Sequence, residues 1–122
     1  MSAPELKHLS VKDVNGIAVV DFVNSQLMFA TSVVQEIGEE LDSLVTNRGH
    51  TKIVLDFAHV QYVSSSMLAQ LARLQRTVEQ AKGQLRVCGL GPILLDTFRI
   101  GHFDRLFAIY DDLESSIASF RS

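Results

Sequence analysis

The stretch KIVLDFAHVQYVSSSMLAQL, residues 52–71, decides the fold, because it predicts a strand, a turn and a helix in direct succession. Residues 53–57 form a nearly unbroken apolar run, as expected for a strand covered on both faces in a parallel sheet. Three serines, Ser64, Ser65 and Ser66, then precede a helical pattern that runs to about Ala81. Its apolar stripe consists of Met67, Leu71, Leu74 and Val78.

Upstream of this unit, the pattern predicts a β-hairpin followed by a helix. Two β-rich segments, residues 6–14 and 17–22, are joined by Asn15-Gly16, a pair that tolerates the positive φ of a type I′ turn. From about Ala30 to Val45, apolar residues recur at helical spacing between acidic and polar ones. Gly49 then favours the left-handed conformation that ends a helix.

Downstream, the sequence predicts two more strands and two more helices. Residues 85–88 form a strand pattern, and Pro92 suits the first turn of a short helix. Residues 107–110 form the last strand pattern, and a closing helix follows Asp111-Asp112. The order β-β-α-β-α-β-α-β-α predicts an α/β fold with parallel strands and right-handed crossovers.

Composition narrows the class of protein. The 122 residues fit one domain, and the net charge of −3 argues against a broad surface for nucleic acids or anionic membranes. No apolar stretch approaches the roughly 20 residues needed to span a bilayer, and the N-terminus lacks a signal-peptide core, so we expect a cytoplasmic protein. Cys88, the sole cysteine, excludes an intramolecular disulfide and is predicted to be buried.

The serine triplet is the feature most suited to a functional role. A serine oxygen at this position can cap the helix by accepting a hydrogen bond from the first turn. The same free N–H groups and the helix dipole also stabilise a phosphate, so capping and phosphorylation are compatible.

Catalytic and metal sites find little support. The serines lack a Gly-x-Ser-x-Gly elbow, and nothing pairs Asp21 with Asp56 as acid and base. Gly89-Leu90-Gly91 fits a helix entry better than a phosphate loop. The four histidines lack the paired spacing of a zinc site; they are His8, His50, His59 and His102. We therefore predict no catalytic residue, no metal and no cofactor.

The quoted stretch resembles the core of the STAS domain family, in which a vvLDlsgV strand leads through a fiDSsGl turn into a helix. Residues 83–90 resemble the family's G..l.lvgl segment, and residues 95–112 resemble its l...g....f.iydd ending. The resemblance covers nearly the whole chain. It implies a single STAS-like domain over residues 1–122, with a mixed four- to five-stranded β-sheet, an N-terminal β-hairpin and about four α-helices packed against the sheet.

The resemblance also implies a function, that of an anti-sigma factor antagonist. Such proteins bind an anti-sigma factor that is a GHKL-type serine kinase, and are phosphorylated on a serine that corresponds to Ser65. Ser64 stands where the family has aspartate and Met67 where it has glycine, so Ser64 and Ser66 remain alternative acceptors. The predicted partner-binding residues are Asn24, Ser25, Leu27, Met28, Ser64, Ser65, Ser66 and Met67.

Two alternatives stay open at this point. A STAS domain can serve as a scaffold subunit in another assembly, such as a stressosome-like, two-component or lipid-transport complex, without serine phosphorylation. A small-molecule or nucleotide-binding enzyme is the other alternative, because α/β sheets often bind ligands at the carboxyl ends of their strands. Self-association is left open by the sequence.

Overall fold

The structure is a computed structural model that describes residues 6–23 and 31–120. Its five strands are β1 (Leu9–Val14), β2 (Ile17–Phe22), β3 (Lys52–Asp56), β4 (Gln84–Cys88) and β5 (Ala108–Tyr110). Its four α-helices are α1 (Thr31–Thr46), α2 (Ser65–Gln80), α3 (Pro92–Ile100) and α4 (Leu113–Ala118), and a 3₁₀ turn spans Phe103–Arg105. The predicted order of elements is confirmed, and the largest shift of a boundary is at the start of β1.

The strands form one mixed sheet in the order β1-β2-β3-β4-β5. β1 pairs with β2 antiparallel, and the remaining pairs are parallel. The hairpin that joins β1 to β2 has the predicted turn, since Asn15 and Gly16 both adopt positive φ, 54° and 83°. The Asp13 carboxylate accepts a hydrogen bond from the Gly16 N–H at 2.9 Å, which stabilises this turn.

Helices cover both faces of the sheet. Apolar side chains of α1, α2 and α3 pack against alternate strand residues such as Val20, Leu55 and Val87. On the opposite face, α4 packs on a smaller cluster that contains Val19, Val54 and the buried Cys88. Among the described residues, none of the helices is long and apolar enough to cross a membrane.

Helices α1 and α2 pack against each other at a close approach. Gly38 lies at this contact, and a Cβ atom there would overlap the Gln70 side chain. Beside this contact lies a groove lined by residues of both helices, among them Ser66 and Gln70.

Candidate functional site

The serine triplet lies beyond the carboxyl end of β3, at the start of α2. Two backbone hydrogen bonds, both 2.9 Å long, hold the chain where it leaves β3. The Phe57 N–H donates to the Cys88 carbonyl, and the Val60 N–H donates to the Phe57 carbonyl. Val60 and Val63 are buried, so they anchor the loop to the core. These contacts fix the position at which the chain turns into α2.

Ser64 is the N-cap of α2, as the sequence predicts. Its backbone is extended, with φ −78° and ψ 163°, and its Oγ accepts a hydrogen bond from the Met67 N–H at 3.1 Å. Ser64 is half-buried, whereas Ser65 and Ser66 are exposed in the first helical turn. The turn therefore uses one serine oxygen to begin the helix and presents the next two serines to solvent.

The other predicted contact residues have different positions. Met67 is fully buried in the core, so its side chain does not contribute to a docking surface in this conformation. Its bulk, where the family has glycine, packs among the other buried residues of the core. The predicted residues Asn24, Ser25, Leu27 and Met28 lie outside the described residues.

A groove of about 470 Å³ lies beside the serine turn, between the β3–α2 loop and the start of α3. Its walls include Tyr62 and Ile93, which expose 49% and 56% of their surface. Neither residue stands out in the sequence, because Tyr62 lies within a short apolar run and Ile93 lies off the stripe that α3 buries. The groove thus exposes one apolar side chain on each of its two sides.

Gly89 brings the two sides of this groove together. Its φ is +75°, and a Cβ atom there would lie 2.9 Å from both the Ala58 nitrogen and an Asp56 carboxylate oxygen. Only glycine combines this backbone conformation with such a close approach. The prediction of a helix-entry turn at Gly89-Leu90-Gly91 is confirmed, since α3 begins at Pro92.

Asp21 and Asp56 are neighbours across β2 and β3, a pairing that sequence analysis does not find. Burial, and next the charge of Asp56, raise the pKa of Asp21. Asp56 Oδ1 accepts a hydrogen bond from the Ala58 N–H at 3.0 Å, so this carboxylate stabilises the loop that leads to the serines. Within the described ranges, no group of three or more His, Cys, Asp or Glu residues could hold a metal ion.

Cys88 of β4 lies opposite Asp56, so that Asp21, Asp56 and Cys88 occupy equivalent positions on three neighbouring strands. Burial, and next the charge of Asp56, raise the pKa of its thiol to about 12. The thiol is thus neutral near pH 7 and belongs to the core, which fits the predicted structural role.

Replacing Ser64 by alanine is expected to destabilise the protein by about 1 kcal/mol, because the helix loses the oxygen that caps it. Urea unfolding measures this change. Ser64→Asp is the matched variant, since its carboxylate can accept the same hydrogen bond and interacts favourably with the helix dipole. An alanine variant as stable as the wild type, or an aspartate variant as unstable as alanine, would contradict the capping role.

The sequence matches the STAS domain family over residues 8–116. BtrV of Bordetella bronchiseptica, to which the role of anti-sigma factor antagonist is assigned, is 28% identical over 76 residues, which are 62% of this chain. The matched region is 66% of BtrV, just under two thirds of its length.

Solved structures share the fold. An anti-sigma factor antagonist domain protein from Planctomyces limnophilus has a TM-score of 0.81 at 15% identity, covering 93% of this chain and 98% of its own. The anti-sigma factor antagonist SpoIIAA in its unphosphorylated form has a TM-score of 0.76 at 15% identity, with 93% and 96% covered. The phosphorylated form of SpoIIAA, from Bacillus, has a TM-score of 0.67 at 14% identity, with 92% and 98% covered.

Proposed function

This chain belongs to the STAS domain family, and on that premise we propose that it is an anti-sigma factor antagonist controlled by phosphorylation of Ser65. In this proposal the unphosphorylated domain binds an anti-sigma factor of the GHKL kinase type through the serine turn, and thereby frees a sigma factor. Phosphate on Ser65 prevents that binding. The protein acts as a binding module, without a catalytic residue or cofactor of its own.

The exposure of Ser65 at the first residue of α2 is the observation that carries the proposal. The hydroxyl is accessible to a kinase, and Ser64 already begins the helix, so modification of Ser65 leaves the cap in place. The N-terminus of α2 favours an added anion through its N–H groups and dipole. These features support the proposal that the domain accepts a phosphate and remains folded.

The surface around the turn explains why a phosphate would change affinity. Gln61, Tyr62 and Ala69 are exposed near the serines, and the segment 65–72 carries no charged residue. A partner that covers this neutral surface must remove water from it. A phosphoserine brings about −1.5 to −2 charges, which are costly to bury without a matching cation.

The relatives support the proposed role. BtrV, matched by sequence, is assigned as an anti-sigma factor antagonist, and SpoIIAA has been solved both with and without phosphate. As part of the proposal, we extend the antagonist role and the control by phosphate to this chain. We also propose that the chain acts as a single domain in the cytoplasm.

Phosphoryl transfer tests the proposal. The purified protein is incubated with ATP and, one at a time, with each GHKL-type anti-sigma kinase encoded in the same genome, and phosphate is mapped by mass spectrometry. We expect one kinase to modify Ser65, with Ser65→Ala abolishing the signal and Ser66→Ala preserving it. Modification of Ser64 or Ser66 alone would overturn the choice of acceptor.

A kinase panel that neither modifies nor binds the protein would overturn the proposed function as a whole. Stable binding without transfer to any of the three serines would instead favour the scaffold role that the sequence leaves open. A thermal shift produced by one compound from a nucleotide and metabolite panel would favour a ligand-binding domain.

A further inference from the structure

Helix α1 carries an unbalanced charge. Its 16 residues include four carboxylates and neither lysine nor arginine; the carboxylates are Glu36, Glu39, Glu40 and Asp42. The helix packs beside α2, which presents the serine turn. The contacts of each carboxylate show which of them remains available to a partner.

Two of the four hold the segment that enters β1. Glu40 is buried and accepts hydrogen bonds from the backbone N–H groups of Lys7 and His8, each at 3.0 Å. The Glu36 carboxylate lies 2.7 Å from Nε2 of His8, and this hydrogen bond lowers the pKa of Glu36. Both side chains are thus engaged within the domain.

The third carboxylate, Asp42, forms an ion pair with Arg73 of α2 at 2.9 Å. Among the described residues, Arg73 is the one cation that lines the groove between α1 and α2, and Asp42 balances its charge. With Asp42 counted, Arg73 leaves the charge of one further carboxylate at this groove unbalanced.

Glu39 is exposed and has no hydrogen-bond or ion-pair partner among the residues that the structure describes. It lines a groove of about 350 Å³ together with Ser66, Gln70 and Arg73. The groove thus combines an unpaired negative charge with a serine of the proposed docking surface.

We infer that this groove receives a lysine or arginine side chain of the partner protein, with Glu39 as the acceptor; the inference rests on the proposed function. Charge complementarity identifies the occupant, because Glu39, Arg73 and the Asp42 carboxylate paired with Arg73 together carry a net charge of −1. The segment of α2 that faces the partner is neutral. Glu39 of α1 therefore provides the charged contact between the two proteins and sets the orientation of the complex. The phosphate acts at Ser65, and the partner's cation does not neutralise it, because that cation is already paired with Glu39.

The test compares charge variants in titrations with the anti-sigma kinase identified by phosphoryl transfer. Glu39→Gln is expected to raise the Kd about 5- to 10-fold and to reduce its dependence on salt between about 50 and 300 mM. Glu39→Lys should weaken binding further. Glu114→Gln is the matched control, since Glu114 is an exposed glutamate on α4, on the opposite face of the sheet.

The possible outcomes separate this inference from the proposed function. If the wild type binds the kinase and the Glu39→Gln and Glu114→Gln variants bind it with equal affinity, the docking site is overturned and the proposed function stays intact. Failure of the whole kinase panel to bind the wild type would overturn both. Sedimentation of each variant provides a further check: if Glu39→Gln dissociates a homodimer and leaves kinase affinity unchanged, the groove receives a second copy of this chain, contrary to the inference.

Discussion

Ser65→Glu is expected to weaken binding to the proposed partner, an anti-sigma kinase, by about 100-fold or more, which corresponds to about 2.7 kcal/mol of binding free energy. The carboxylate places a permanent negative charge at an exposed position on a neutral surface. Burying that charge against the partner carries a desolvation penalty, and the segment 65–72 contains no cation that offsets it. Calorimetric titration measures the change.

The fold should tolerate this substitution, because an acidic residue in the first turn of α2 interacts favourably with the helix dipole. Urea unfolding should therefore give a stability at least equal to that of the wild type. Ala118→Glu is the control, since it adds the same charge at an exposed position on α4. If both variants bind like the wild type, negative charge at Ser65 does not control the interaction.

Phe57→Ala is expected to destabilise the protein by about 3–5 kcal/mol, the largest effect on folding that we predict. The ring is fully buried, stacks on Phe22 with centroids 5.0 Å apart and meets Phe98 edge to face at 6.2 Å. Its loss removes a large apolar surface and the aromatic contacts that join β2, the end of β3 and α3. Urea unfolding of the purified variants measures the free energy of unfolding.

Phe57→Leu, which keeps much of the buried volume, should cost less than Phe57→Ala. Ile100→Ala is the surface control, because Ile100 exposes 82% of its surface, and we expect it to change stability by about 0.5 kcal/mol or less. If Phe57→Ala lowers the free energy of unfolding by less than about 1 kcal/mol, the buried contacts of this ring do not stabilise the core as we expect.

Local patterns were sufficient to predict most of the fold. The hairpin at Asn15-Gly16 follows from the backbone conformations that these two residues tolerate, and the cap at Ser64 follows from the hydrogen-bonding needs of a helix start. The alternation of strand and helix patterns gave the order of elements, and the family resemblance correctly implied a mixed sheet of this architecture.

Features that depend on register and packing could not be predicted in the same way. Asp21 and Asp56 are 35 positions apart in sequence, and only the pairing of β2 with β3 makes them neighbours. The availability of Glu39 emerges only when the partners of the other α1 carboxylates are known. Met67 belongs to the apolar stripe of α2, and its burial shows that this stripe, rather than its proximity to the serines, determines its role.

The most direct test of the central claim is the affinity of one protein preparation for the anti-sigma kinase before and after enzymatic phosphorylation. We expect stoichiometric phosphate on Ser65 to weaken binding by about 100-fold, and we expect a phosphatase that removes the phosphate to restore binding. Equal affinity of the phosphorylated and unphosphorylated proteins would show that phosphate on Ser65 does not control binding.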